Sequence, residues 1–372
     1  MRIGRPQSKW LVSFFVTLIS IASPAAAQFP ESRMYRTEKI GEGIYAFISP
    51  EINSPIVSSN CVAVIGDDGV LVVDAGRFTT LTRRMIADIR KLTDKPIRYV
   101  VNTHWHMDHV MGNGAIQEAF PDVVILSTAF TRSGIQETAA ANIQGMLQKG
   151  PGIVKDMDGL VRAGKRADGT ALSEQDRKFL SAEKHDLELE LSELKLVRSV
   201  APSVTFDQGL TVHLGKREVG LMFLGRGNTA GDTVVYVPDS KVVMTGDLVV
   251  NPVPYSFGAY PGEWIATLKK LMAIDATSII PGHGPAMHDW EYANLVASLI
   301  EAVRTQVQAD VQQGLSLDDT KKRVNLDSFQ KRFVGDNPDR ALAFKYFFVS
   351  TAIERAYQEA KGAYDLEWRA LE

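Results

Sequence analysis

The chain has 372 residues, 45% of them hydrophobic and 23% charged, the balance of a globular protein and not of a disordered or fibrous one. A formal net charge of −3 argues against a nucleic-acid partner, and a single cysteine, Cys61, excludes an intramolecular disulfide. Length alone is compatible with one large domain or two small ones, because single cores stop growing near roughly 250 to 300 residues.

Residues 1–27 read as a secretory signal peptide: Arg2, Arg5 and Lys9 form a basic start, Trp10 to Ala22 an apolar run, and Ala25-Ala26-Ala27 a stretch of small residues for cleavage before Gln28. The apolar run is shorter than the roughly 20 residues that span a bilayer, so no stable membrane anchor is expected once the leader is removed. That removal leaves 38 basic residues against 44 acidic ones, a net charge of about −6. The expected location is periplasmic or secreted.

Short strands follow at Ile44 to Ile48, Cys61 to Ile65 and Val70 to Val73, the last two joined by the turn Gly66-Asp67-Asp68-Gly69. Leu81, Met85, Ile89 and Leu92 recur at helical spacing among charged residues, which predicts an amphipathic helix. Pro96 interrupts, and Ile97 to Val101 reads as a strand delivering the chain to His104, at the carboxyl end where open α/β sheets collect ligands. A strand is expected over 122–127. From about Phe130 to Val197 the pattern is helical, with a break near Gly164 to Gly169, a capping box at Ser173 and Asp176, and Leu187, Leu191 and Leu194 on one face. Strands resume at Leu210 to Leu214, Gly220 to Leu224, Thr233 to Val237 and Val242 to Thr245. Beyond His283, Leu295, Val296, Leu299, Ile300, Val303, Val307 and Val311 form a helical stripe ending at Gly314. A second helix is expected from Asn337-Pro338, its aromatic cluster Phe344, Tyr346, Phe347 and Phe348 serving as core.

Three histidines and an aspartate within six residues, His104, His106, Asp108 and His109, are costly as packing, because each buried polar side chain needs partners, and a metal satisfies them together. Two residues apart, His104 and His106 can converge on one ion, while Asp108 and His109 at the entrance of the next helix can face a second. His104-Trp105-His106-Met107-Asp108-His109 resembles the H-x-H-x-D-H signature of the metallo-β-lactamase superfamily. Val72-Val73-Asp74-Ala75-Gly76 looks like that family's first motif, whose aspartate orients the metal loop. Thr245-Gly246-Asp247 looks like the motif whose carboxylate bridges two metals, and Pro281-Gly282-His283-Gly284 like the one supplying the last histidine. The resemblance covers about Gly41 to Pro285 apart from the helical insertion.

It implies an α/β fold, a four-layer αββα sandwich over residues 28–290 with a helical insertion at about 130–200, followed by a C-terminal helical extension, residues 291–372, packed on the same domain. It further implies one or two zinc ions held by His104, His106, Asp108, His109, Asn228, Asp247 and His283, with Asp108 and Asp247 the catalytic carboxylates. Where the family has a histidine in Gly-x-x-His-Thr-x-Gly-Asp, this chain has Asn228 in Gly225 to Asp232, and a neutral amide oxygen is a weaker zinc donor than imidazole. The first site is therefore expected to bind less tightly than the second, and if it stays empty His104 or His106 becomes available as a general base. His185, His213 and His288 read as surface or structural residues. Asn251 to Tyr260 is expected either at the pocket mouth or packed as an ordinary loop on the insertion, and Arg226 reads as a surface residue. The activity this implies is attack of metal-activated water on a small carbonyl substrate: a β-lactam, lactone, ester or thioester. The three residues after Asp247, Leu248, Val249 and Val250, include no lysine to hold a drug carboxylate. The competing reading is a periplasmic binding or accessory protein with a partly degenerate metal site.

Overall fold

A computed structural model describes residues 29–363 apart from 52, 53, 55, 167 and 168, so the leader expected over residues 1–27 lies outside the described residues. Strands β1 (Arg36–Gly41), β2 (Ile44–Ile48), β3 (Cys61–Ile65), β4 (Val70–Val73), β5 (Ile97–Val101), β6 (Val124–Thr128) and β7 (Val204–Phe206) lie side by side in chain order in one sheet. Strands β8 (Gly209–Leu214), β9 (Arg217–Phe223), β10 (Thr233–Val237), β11 (Val242–Val250) and β12 (Ser278–His283) form the second, with β12 at one edge and β8 at the other.

Alternation along the strands decides the layering. Ile44, Ala46, Ile48, Val62, Val64, Leu71 and Val73 point to the second sheet, where Val212, Leu214, Val219, Leu221, Val235, Val237 and Met244 meet them in one buried cluster. The opposite face of the first sheet, with Phe47, Cys61, Ala63, Val70 and Val72, is covered by Met85, Ile86 and Ile89 of helix α1 (Thr79–Leu92). Two further helices follow, α2 (Met107–Val110) directly after β5 and α3 (Asn113–Ala119), whose Ile116 joins the same cluster. Apolar residues on both faces of both sheets thus require helices outside each, which is the αββα order the sequence implied.

The helical insertion comprises α4 (Ala129–Gly134), a π turn (Ile135–Ala139), α5 (Ala140–Ala163) and α6 (Glu174–Leu194). Gly164 ends α5 in a left-handed conformation, φ +64°. Ser173 and Asp176 cap α6 reciprocally, an arrangement worth about 1 kcal/mol. Leu187, Leu191 and Leu194 of α6 pack with Ile143, Phe29, Phe78 and Leu81.

On the outer face of the second sheet, α7 (Pro261–Met272) and α8 (Glu291–Gln312) share a core with α9 (Leu317–Arg323), α10 (Asp327–Val334) and a long C-terminal helix. That last helix runs through α11 (Pro338–Ala343), a π turn (Phe344–Val349) and α12 (Ser350–Ala360), with Asn337 capping it. Its aromatic cluster divides. Phe344 and Phe348 are core, but Tyr346 is 55% exposed and Phe347 turns into a pocket, so the expectation of four core aromatics is corrected. The expected strand Val242 to Thr245 is also too short, since β11 runs on to Val250 with Leu248, Val249 and Val250 buried. Among the described residues no helix is long and apolar enough to cross a membrane.

Candidate metal centre

The histidine-rich segment leaves β5 at Val101, and its first side chains are fixed from behind by Asp74. This residue has φ +57°, uncommon for a non-glycine, directly after β4. The strained turn aims both of its oxygens: Oδ1 accepts from the Thr103 backbone N–H at 2.8 Å, and Oδ2 accepts from the Thr103 hydroxyl at 2.8 Å and His109 Nδ1 at 2.7 Å. A carboxylate only accepts, so the His109 proton sits on Nδ1 and the lone pair on Nε2. The Thr103 hydroxyl in turn lies 3.0 Å from His104 Nδ1, and having given its hydrogen to Asp74 it accepts there. His104 Nε2 therefore carries a lone pair too, 3.0 Å from His106 Nδ1. One aspartate sets the tautomers of two histidines, as partners behind metal-binding imidazoles do.

Two glycines let the remaining groups close in. Gly246, φ +54°, shifts the β11 register against β12 just before Asp247. A Cβ on Gly282 would lie 1.8 Å from Asp247 Oδ1, so only glycine fits there. Asn60 ties the end of β12 to the first sheet, its side-chain amide donating to the Pro281 and Gly284 carbonyls at 2.9 and 2.8 Å.

The outcome is a cluster of six residues, four of them buried and His106 and Asp108 partly so. Asp247 Oδ2 lies 3.5 Å from His104 Nε2, while its Oδ1 lies 3.3 Å from His109 Nε2 and 3.7 Å from His283 Nε2. Asp108 Oδ2 lies 3.0 Å from His283 Nε2 and 3.5 Å from His109 Nε2. Ligand atoms of His104, His109 and Asp247, and separately of Asp108, His109 and His283, all fall within 4.8 Å of one another. Asn228 is fully buried, and its Nδ2 donates to the Tyr255 carbonyl at 2.8 Å, which fixes the amide with Oδ1 as its remaining acceptor. No measured contact joins it to the six. Of the other histidines, His213 and His288 are exposed, the first near Glu218 and the second near the Thr277 carbonyl, and His185 is exposed on α6.

These donors fit a metal on a specific observation. His109 Nε2, His283 Nε2, Asp247 Oδ1 and Asn228 Oδ1 are buried with no hydrogen-bond partner. Buried polar atoms are rarely orphaned in native proteins, and the three on His109, His283 and Asp247, both imidazole nitrogens lying within 3.7 Å of Asp247 Oδ1, are what a bound cation would satisfy. The charges agree. Burial works against positive charge at His109, but the fields of Asp247, Asp74 and Asp108 outweigh it, so the place His109 Nε2 faces favours a cation. Burial likewise works against the Asp108 and Asp247 carboxylates, yet the surrounding histidines hold both well below the usual carboxylate range. Burial, with the neighbouring His109, holds His104 low.

A cavity of about 400 Å³ opens over the cluster, in the size range of small-molecule sites. Asp108, Asp247 and His106 belong to its floor, and Val57, Trp105, Met107, Tyr255, Phe257 and Phe347 give it apolar walls. The loop after Asp247 thus lines the pocket through Tyr255, Phe257 and Gly258. It packs on the C-terminal helix, Ser256 donating to the Phe348 carbonyl at 3.0 Å. Arg226 is outside the lining and pairs with Glu263. The sequence did not single out Arg77, Asn142, Thr351, Glu354 or Arg355 for this site. They reach it from α5, α12 and the turn before α1, and no local spacing signals that convergence.

The model of the metallo-beta-lactamase superfamily matches residues 55–283, more than half of the chain. The chain belongs to the metallo-β-lactamase superfamily. A linear primary-alkylsulfatase from Pseudomonas sp. (strain ATCC 19151) is 28% identical over 273 residues, 70% of this chain and 48% of its own. A metallo-beta-lactamase type 2 from Bacillus sp. (strain 170) is 21% identical over 238 residues, 62% of this chain and 69% of its own. Among solved structures, a stereoselective inverting sec-alkylsulfatase from Pseudomonas sp. matches with TM-score 0.60 at 15% identity over 91% of this chain and 52% of that one. A metallo-beta-lactamase from Pontibacter korlensis matches with TM-score 0.51 at 20% identity over 72% and 99%. Both structures share the fold, and this chain spans about half the length of the alkylsulfatases it matches.

Proposed function

We propose that the protein is an exported zinc-dependent hydrolase of small esters that carry an apolar portion. The observation that carries this reading is the set of three orphaned buried donors, on His109, His283 and Asp247, clustered where Asp247 meets the floor of an apolar pocket. Imidazole and carboxylate donors in a tight cluster suit zinc, one or two per chain. The basic start, apolar run and Ala25-Ala26-Ala27 support export.

When bound, a divalent ion supplies Lewis acidity and makes hydroxide available at neutral pH. The chain supplies the rest. Asp247 presents one oxygen to His104 and the other to His109 and His283, which suits a carboxylate shared between two sites. Asp108, whose side chain is 13% exposed against 1% for Asp247, is the carboxylate open to the pocket and takes the proton of the attacking water. Trp105, Phe257 and Phe347 hold the apolar portion and exclude water from the reacting bond.

A β-lactam substrate is the weakest of the carbonyl candidates. Leu248, Val249 and Val250 are core residues of β11, and Arg226 is occupied by Glu263, so neither offers a cation to a drug carboxylate. Carboxylic esters, lactones and thioesters fit the apolar walls better. Sulfate esters form a second reading, supported by the 28% identity to an alkylsulfatase. The separating experiment is turnover by the zinc-loaded protein of carboxylic and sulfate esters of increasing alkyl length. Each added methylene that finds the wall contributes about 0.8 kcal/mol, so kcat/KM is expected to rise about fourfold per carbon until the pocket is filled. No turnover of either series would favour the binding-protein alternative.

A further inference from the structure

Three carboxylates of α6, Asp186, Glu190 and Glu193, tie the insertion to the body through one face of the helix. Asp186 pairs with Arg33, and Glu193 accepts from the Thr80 backbone N–H at 2.9 Å and its hydroxyl at 2.6 Å. The middle tie differs from the other two because it reaches the pocket. Glu190, fully buried, accepts from Arg77 Nε at 2.9 Å and Nη2 at 2.8 Å. Arg77 lies three residues after Asp74, is 9% exposed, and lines the same cavity as Asp108. Its backbone N–H is also fixed, donating to Ser58 Oγ at 3.0 Å.

An arginine always carries its charge, and a buried one must have a counter-charge. Two carboxylates favour the Arg77 charge, Glu190 more than Asp108. Glu190 holds it through two parallel hydrogen bonds, a geometry that fixes the guanidinium plane. Asp108 lines the same cavity and is one of the proposed metal ligands.

We infer that Glu190 is a positioning residue, which holds the Arg77 guanidinium in the pocket wall and keeps it from pairing with Asp108. The insertion thereby protects the metal centre: with Glu190 in place the pair adds no net charge beside the ions, and without it a free cation both repels a divalent ion and occupies its ligand. The inference rests on the metal-binding reading above.

Breaking the pair from either side separates this role from simple anchoring of the insertion. Both Glu190→Gln and Arg77→Gln remove the same ion pair and are expected to lower Tm comparably. Zinc affinity, read by competition with a chromophoric chelator, is expected to fall at least tenfold in Glu190→Gln and to stay within twofold of the wild type in Arg77→Gln. The double variant Arg77→Gln/Glu190→Gln is expected to bind zinc as Arg77→Gln does, and it decides the matter if Glu190→Gln does not fold. Equal affinities in the two single variants, or a double variant as weak as Glu190→Gln, would overturn the role given to Glu190. A wild-type protein that binds no zinc in the same titration would overturn the metal reading itself, and this inference with it.

Discussion

Replacing Asp247 with alanine is expected to lower kcat/KM for any ester the protein cleaves by at least about a thousandfold, on the order of 4 kcal/mol of transition-state stabilisation. No other carboxylate in the cluster faces as many of its histidines. Its two oxygens face His104 on one side and His109 and His283 on the other, and its side chain is almost fully buried. The alanine variant removes the one carboxylate that faces His104 as well as His109 and His283, so bound zinc should fall along with the rate. It also leaves the backbone of β11 unchanged, so circular dichroism should match the wild type. Unchanged turnover would show that Asp247 serves only the packing of Gly282 against β11.

Substituting Asn228 with histidine is expected to tighten the weaker of two zinc ions by about 10 to 100-fold, roughly 1.4 to 2.8 kcal/mol. The reasoning is one of donor chemistry. An amide oxygen is neutral and hard, imidazole nitrogen is the better zinc ligand, and Asn228 is already oriented by the Tyr255 carbonyl with Oδ1 unpartnered. The imidazole must give up that hydrogen bond or keep it through its second nitrogen, so a gain nearer tenfold would show that the Tyr255 contact was lost. Titration calorimetry of both proteins reads the difference. If affinity falls in the histidine variant, Asn228 is a structural residue of the loop, held there by the Asp232 carboxylate that accepts from Thr229 at 2.8 to 3.1 Å.

The contrast between what the chain announced and what it concealed follows from the range of the interactions. His104, His106, Asp108 and His109 are legible because a metal site needs several costly polar groups together, and here most of them come from one segment. Asp247 and His283 required recognition of dispersed motifs, because β11 and β12 bring them in from far along the chain. The two-sheet core was legible from alternation in β2, β3 and β4. Strand β1 was not, because its residues Arg36 to Gly41 lie at an edge and bury little. Nor was β12, in which Pro281 and Gly282 disguise a fully buried strand. The C-terminal helix misled for a geometric reason: a π turn at Phe344–Val349 sends Phe344 and Phe348 to the core and Phe347 to the pocket, a division that a regular helical period does not display. Arg77 was hidden for want of any local cue, since its partner Glu190 lies 113 residues away.

The most direct test is crystallographic. Crystals of the zinc-loaded protein, measured just above and just below the zinc absorption edge, should show an anomalous peak bounded by Asp108, His109, Asp247 and His283, with a second, weaker one toward His104 and His106. A zinc-loaded crystal with no peak among these side chains would contradict a metal centre at the floor of the pocket.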